Sequence, residues 1–357
     1  MERDTFIIMI FCLVAEQLEI LRKSDRIRRG GFAPALSDEE VITMEICGEY
    51  FKLSTDKDLF NYFKAHYQDW FPNLRTRTSF VRQAANLWQF KARIQHQLTR
   101  QAEQFSAPVQ VIDTMPVPVC QWVRGVRDKC FRGVAEYGYC AAKEMHYYGF
   151  KLGLRVSRLG MITSAVLLPA RPHDVNHTEE LIDGFGQTIL GDKGFLDPFR
   201  QTLLENRYGT ELLVPKRKNM KDQDETPLAQ IRAKAARKIR KVVETVNAHL
   251  TERFNLTKIR VHDLWHFQSR LIRKILTHTV LVFINLQLNR QPLDLDGLVL
   301  NYKELHIGYC HINWGKFPHA DDGSDYSPLF AFELHHYKSL VFRSICANTL
   351  IISPKQS

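Results

Sequence analysis

Hydrophobic positions over the first hundred residues recur at helical spacing and predict helix after helix. The apolar run from Phe6 to Val14 continues through Leu18 and Ile20 as one partly buried helix. Ser37-Asp38-Glu39-Glu40 is a capping box, in which the Ser37 hydroxyl and the Glu40 carboxylate each satisfy a free backbone N–H. Val41, Met44, Ile46 and Phe51 supply the stripe that follows. A second pattern opens at Thr55-Asp56, carries Leu59, Phe60, Phe63 and Trp70, and closes at Pro72-Asn73. A third begins within residues 76–79 and carries Phe80, Val81, Ala84, Leu87 and Trp88, with Arg75, Arg77 and Arg82 crowded at its start. This layout fits a helix-turn-helix DNA reader. It equally fits a helical bundle with a solvated basic face.

The pattern changes after Pro108. Residues 109–112 form a short β-branched run ending at Asp113, and a charged, glycine-containing stretch covers 121–143. Residues 146–156 and 161–168 alternate as two strands around the turn Ser157-Arg158-Leu159-Gly160. A helix is predicted over 174–185, then a strand over 188–191 leading into Asp192. Residues 197–206 read as a helix and 211–214 as a strand. A polar linker over 216–224 starts with Lys216-Arg217-Lys218. A long helix over 227–254 carries Ile239, Val242, Val243, Val246, Leu250 and Phe254 on one face. A largely apolar helix over 265–289 completes the region. Strands alternating with helices predict an α/β fold behind an all-α N-terminal region.

A length of 357 residues exceeds what one hydrophobic core usually supports, so two domains, or one enlarged by insertions, are expected. The expected organisation is a helical region over 1–103, a catalytic domain over 104–295 and a C-terminal extension over 296–357. A net charge of +10 directs attention to a polyanionic partner. Neither long apolar run suits a membrane span, since the first is too short and the second carries Thr277, His278 and Asn285. Seven cysteines without a C-x-x-C pair exclude a disulfide framework and a zinc ribbon, so a reducing cytoplasm is the expected compartment.

Three acids stand where chemistry would place them. Asp113 and Asp192 each end an apolar strand, and Glu244 lies on the long helix. Sites in open α/β sheets gather at such strand ends. Phosphodiester cleavage with magnesium needs a few hard oxygen ligands, and two metals can serve the attacking and leaving oxygens. Each acid also has a structural reading. Asp113 and Asp192 could cap turns, and Glu244 could pair with Arg240 or Lys241. Arg237, Arg240, Glu244, Asn247 and Thr251 share one helix edge, an arrangement suited to phosphate handling.

Val111-Ile112-Asp113-Thr114-Met115-Pro116-Val117-Pro118, Gly138-Tyr139-Cys140-Ala141, Tyr148-Gly149-Phe150-Lys151, His173-Asp174-Val175, Gly191-Asp192-Lys193-Gly194-Phe195 and Glu244-Thr245-Val246 occur in that order. Over residues 5–295 this set resembles the DDE transposases of bacterial insertion sequences, most closely insertion-sequence family 982. The resemblance implies an RNase H-like catalytic domain of the retroviral integrase superfamily. It implies that Asp113, Asp192 and Glu244 are catalytic and hold two divalent ions, Mg²⁺ or Mn²⁺. It further implies cleavage at transposon ends by water and attack of the 3′-OH on target DNA. The implied partners are double-stranded DNA, as terminal inverted repeats and target, and a second copy of the chain in the synaptic complex. The implied location is the bacterial nucleoid.

By their chemistry, Lys193 and Arg240 are expected near a phosphate, while Lys151, Arg237 and Lys216-Arg217-Lys218 are expected along the DNA backbone. Thr251 stands seven residues after Glu244, where relatives of this fold often carry Lys. The tail from Asn301 departs from the family pattern. Its histidines and Cys310 match no standard zinc spacing. Two other readings share the motifs: an RNase H-like nuclease without strand transfer, and an inactive, domesticated DNA-binding copy.

Overall fold

The computed structural model describes residues 1–24, 26–28, 30, 32–140, 144–182, 186–215 and 227–299, with side chains of 227–232 left aside. The tail after Asn301 and Lys216-Arg217-Lys218 lie outside the described residues. The chain divides into two compact units, one holding residues 1–16 with the segment from Asp296, the other running from Gln17 to Leu295. In the first, the N-terminal ammonium of Met1 donates to the Leu298 carbonyl at 2.9 Å. Helix α1 (Arg3–Ser24) starts in that unit.

The capping box forms as the sequence predicts. Glu40 N–H donates to Ser37 Oγ at 3.2 Å and Ser37 N–H donates to Glu40 Oε2 at 2.7 Å, opening α2 (Asp38–Tyr50). Thr55 and Thr76 cap α3 (Asp56–His66) and α4 (Arg77–Asn86) in the same manner. The third apolar pattern is not one helix. It breaks at Leu87, where α5 (Trp88–Gln101) begins. Residues 67–76 separate α3 from α4, a longer connection than the short break of a helix-turn-helix.

The last long helix, α9 (Leu264–Gln287), packs against α2, α4 and α5 through buried charges. Lys91 Nζ donates to Glu45 Oε2 and to Ser269 Oγ, both at 2.8 Å. Arg273 Nε donates to Glu49 Oε1 at 2.7 Å, and Lys274 Nζ to Glu49 Oε2 at 2.9 Å. Burial raises the Glu45 carboxyl and lowers the Lys91 ammonium, while each opposes that shift in the other. Such pairs hold only because each charge has hydrogen-bonded partners.

Six strands form one sheet: β1 (Val109–Gln121), β2 (Glu136–Cys140), β3 (Met145–Ser157), β4 (Ile162–Pro169), β5 (Thr188–Leu190) and β6 (Glu211–Leu213). The order β2-β3-β1-β5-β6 has β4 beside the second half of β3 and β2 beside the first. The strand β1 is antiparallel to β3 and parallel to β5, and β5 is parallel to β6. Pro116 and Pro118 sit in β1 beyond its last β5 partner, Val111. Their missing N–H groups share one edge of the strand, and proline is tolerated where that edge has no neighbour to serve.

Ile112, Ile189 and Leu212 point from three adjacent strands into one cluster with Leu181, Phe195 and Leu204. This places the core directly beneath the strand ends. The expected helix over 174–185 is instead a 3₁₀ turn, Asp174–His177, and a single α turn, α6 (Thr178–Leu181). The helical turn stops at Ile182, whose backbone is extended at φ −99° and ψ 96°. The helix α7 (Pro198–Tyr208) follows, capped by Asp197 and closed by left-handed Gly209. The long helix α8 (Pro227–Ala248) continues as a π turn, His249–Arg253.

Candidate active site

The parallel register of β1 and β5 brings two of the predicted acids side by side. Val111 is the partner of Leu190. Asp113 and Asp192 each lie two residues further along, near enough for the charge of Asp192 to act on the Asp113 carboxyl. Asp192 follows the end of β5, whereas β1 does not end at Asp113 as the apolar run predicts: it continues to Gln121 because β3 goes on pairing with it, Asp113 lying opposite Leu154.

Helix α8 closes over this pair. Asn247 Nδ2 donates to Asp113 Oδ2 at 2.8 Å, and the Thr114 backbone N–H donates to Asp113 Oδ1 at 2.9 Å. Arg240 Nη2 reaches Asp192 Oδ1 at 3.0 Å. Val243 and Val246, with Leu250 in the π turn that follows, bury the stripe adjacent to this edge, which fixes the face that meets the aspartates. Glu244 lies one turn after Arg240 and one turn before Asn247, exposed between the two residues that touch the aspartates.

Burial pushes the Asp113 carboxyl up to about 6, and the negative charge of Asp192 adds to the rise. Hydrogen bonds from Thr114 and Asn247 and the charge of Arg240 oppose it without cancelling it. A carboxylate so placed lacks sufficient positive charge around it. Asn247 Oδ1 is also buried without a hydrogen-bond partner.

The donors gathered here are oxygens, and an orphaned amide oxygen beside an under-compensated carboxylate suits a hard divalent cation. Glu244 does not complete a cluster. Among the described residues no three histidine, cysteine or acidic side chains are grouped closely enough to hold a metal ion.

The other predicted residues divide by environment. Lys193 is exposed in the turn directly after Asp192, and Arg237 is exposed on α8 with Nε donating to the Ala233 carbonyl at 3.3 Å. Lys151 already has internal partners, donating to Asp174 Oδ1 at 2.9 Å and the Pro172 carbonyl at 2.8 Å. Its ammonium ties β3 to the 3₁₀ turn. Arg75, Arg77 and Arg82 are exposed around the start of α4. Asn247 is the residue that sequence reading placed on the helix edge without assigning a task. Its signal was its position one turn after Glu244.

Residues 104–263 match the family described as Transposase DDE domain. That segment contains Asp113, Asp192 and Glu244, together with Arg240 and Asn247. The match supports a DDE transposase and, through it, an enzyme that acts on DNA. A DDE transposase domain implies an RNase H-like fold, and the order β4-β3-β1-β5-β6 around a parallel β1–β5 pair is consistent with it. No curated protein and no solved structure matches the chain. No helix among the described residues is long and apolar enough to cross a membrane.

Proposed function

We propose that the chain is the transposase of an insertion sequence of family 982, cutting DNA at the element's ends and joining the released 3′-OH to target DNA. The observation that carries this reading is the aspartate pair, Asp113 within β1 and Asp192 just after β5, covered by a helix that carries Glu244, Arg240 and Asn247 on one face. Asp113, Asp192 and Glu244 are the residues that would hold two Mg²⁺ or Mn²⁺ ions. Bound there, the ions would polarise the scissile phosphate and lower the pKa of the attacking water.

Hydrolysis breaks the P–O3′ bond at the element end, leaving a 3′-OH and a 5′-phosphate. In joining, that hydroxyl attacks a target phosphate, and the displaced 3′-oxygen takes up the proton. Asn247 and the Thr114 N–H orient the two oxygens of Asp113, so its carboxylate is set before substrate arrives. Arg240 neutralises Asp192 in the free protein and would turn to a phosphate oxygen when DNA occupies the site. Lys193 stands ready for the same phosphate or its neighbour. Arg75, Arg77, Arg82 and Arg237 are proposed backbone contacts, and Lys216-Arg217-Lys218 are retained on chemical type alone. Two chains would hold two transposon ends in one synaptic complex.

Oligonucleotide duplexes bearing the element's terminal inverted repeats test the reading. Magnesium-dependent cutting with the 3′-OH joined to a target plasmid supports the transposase. Cutting without joining would favour an RNase H-like nuclease, and binding without cutting an inactive, domesticated copy.

A further inference from the structure

A cleft of about 840 Å³ lies away from the aspartates, among the N-terminal helices, the segment after α8 and the start of α9. Its walls carry Lys57, Arg77, Arg82, Lys258, Arg260 and Arg270, and among the described residues Asp56 is the only carboxylate lining it. That carboxylate is already taken, since both Arg270 and Arg273 bind it. Lys57, Arg77, Arg82, Lys258 and Arg260 are exposed, and none of these five side chains has an acidic partner among the described residues. Five uncompensated cations around one concavity repel one another, so the free protein gains nothing from gathering them.

One helix end strengthens the same potential. The first turns of α3, α4 and α9 all border the cleft; Asp56 and Asp58 offset the dipole of α3 and the Asp263 cap that of α9, whereas α4 keeps its positive end without an acid. Arg77 is the first residue of α4, whose first turn contains no acid. A cation at that end opposes the helix's own dipole, and an anion facing it reverses the penalty.

The size and continuity of the cationic lining select the occupant. A single phosphate would leave most of this volume empty. Arg82 also lines the adjoining groove of about 790 Å³, where Arg75 adds another exposed cation. The charges therefore form a track, not a point.

We propose that this cleft binds the phosphodiester backbone of duplex DNA without divalent metal, as a contact separate from the aspartate pair. The inference rests on DNA being the substrate, and it names a surface built jointly by α3, α4 and the Lys258–Arg270 region. Binding there reads backbone charge and carries no base specificity.

The test is fluorescence anisotropy of a labelled 30-base-pair duplex of arbitrary sequence with the full chain, in EDTA, across a salt series. Two double variants, Arg77→Gln/Arg82→Gln and Lys258→Gln/Arg260→Gln, are compared with the unaltered protein. Each is expected to weaken binding about 10-fold or more at low salt and to reduce the log K against log salt slope by about 2. The charge-retaining pair Arg82→Lys/Lys258→Arg should bind nearly as the unaltered chain does. This excludes loss of folding as the cause of weak binding. Unaltered affinity and slope in both glutamine variants would overturn the cleft as the contact while leaving DNA as substrate. If the unaltered chain bound no duplex at any salt, the substrate reading itself would fall, and this inference with it.

Discussion

Asn247 on α8 donates to the carboxylate of Asp113 on β1 across 2.8 Å, joining residues 134 positions apart. The bond favours the charged carboxylate in a place where burial disfavours it. Asn247→Ala should therefore raise the Asp113 carboxyl further above about 6. A ¹³C carboxylate titration in EDTA would read this, and an unchanged midpoint would remove Asn247 from its positioning role.

The raised Asp113 carboxyl has a consequence for stability. Its folded value of about 6 exceeds the ordinary 3.8, so the folded state holds the proton more tightly. The associated stability is fully present below about pH 3.8 and is lost as pH rises through about 6. Asp113→Asn removes that loss, and the metal-free variant should gain on the order of 3 kcal/mol at pH 8 with little change at pH 4. Denaturant titrations at the two pH values check it. Equal effects at both would contradict the burial argument.

Catalysis should depend on all three acids in a different way from binding. Asp192→Asn and Glu244→Gln are each expected to lower end cleavage by at least about 10²–10³-fold while leaving duplex affinity in EDTA close to that of the unaltered chain. Glu244 makes the sharper case, because it is exposed and its replacement leaves no cavity. Wild-type cleavage by Glu244→Gln would exclude it from the reaction.

The buried Lys91–Glu45 pair offers a test of how the helical region is tied to α9. Lys91→Met removes both hydrogen bonds to Glu45, leaving it the Arg273 guanidinium at 3.6 Å, and takes the ammonium donor from Ser269, a loss expected to cost about 3 kcal/mol. The double variant Lys91→Met/Glu45→Leu should recover most of it, since a well-packed apolar pair needs no solvation. A double variant as unstable as the single one would show that packing, not charge burial, governs the site.

Acid sensitivity should come partly from Asp56. Burial alone would raise its carboxyl, but Arg273 and Arg270 outweigh burial and hold it at about 2. This contribution is present above about pH 3.8 and is lost as pH falls toward about 2, worth about 2 kcal/mol in all. Asp56→Asn should flatten the stability profile in that window. An unchanged acid limb would mean that other carboxylates set it.

The order of elements was legible in the sequence because it depends on local chemistry. The Ser37 capping box, the alternating runs of β3 and β4 and the apolar stripe of α8 need only neighbours a few residues away. The break at Leu87 and the early end of the helix after Asp174 were not legible, because apolar spacing continues through both. Packing against α9 decides the first, and the extended backbone of Ile182 marks the second.

The candidate acids were visible for the same local reason: each ends an apolar run or follows a helical stripe. The sequence by itself determined which carboxylates were available and that excess positive charge needed a polyanion. Only the tertiary structure decided that Asp113 and Asp192 come near one another, that Asn247 and Arg240 hold them, and that Lys151 faces Asp174. It also decided that Lys57, Arg77 and Lys258 line one cleft although more than 200 residues separate the first from the last. Coulomb interactions depend on distance in space and on local solvation, and neither is encoded by spacing along the chain.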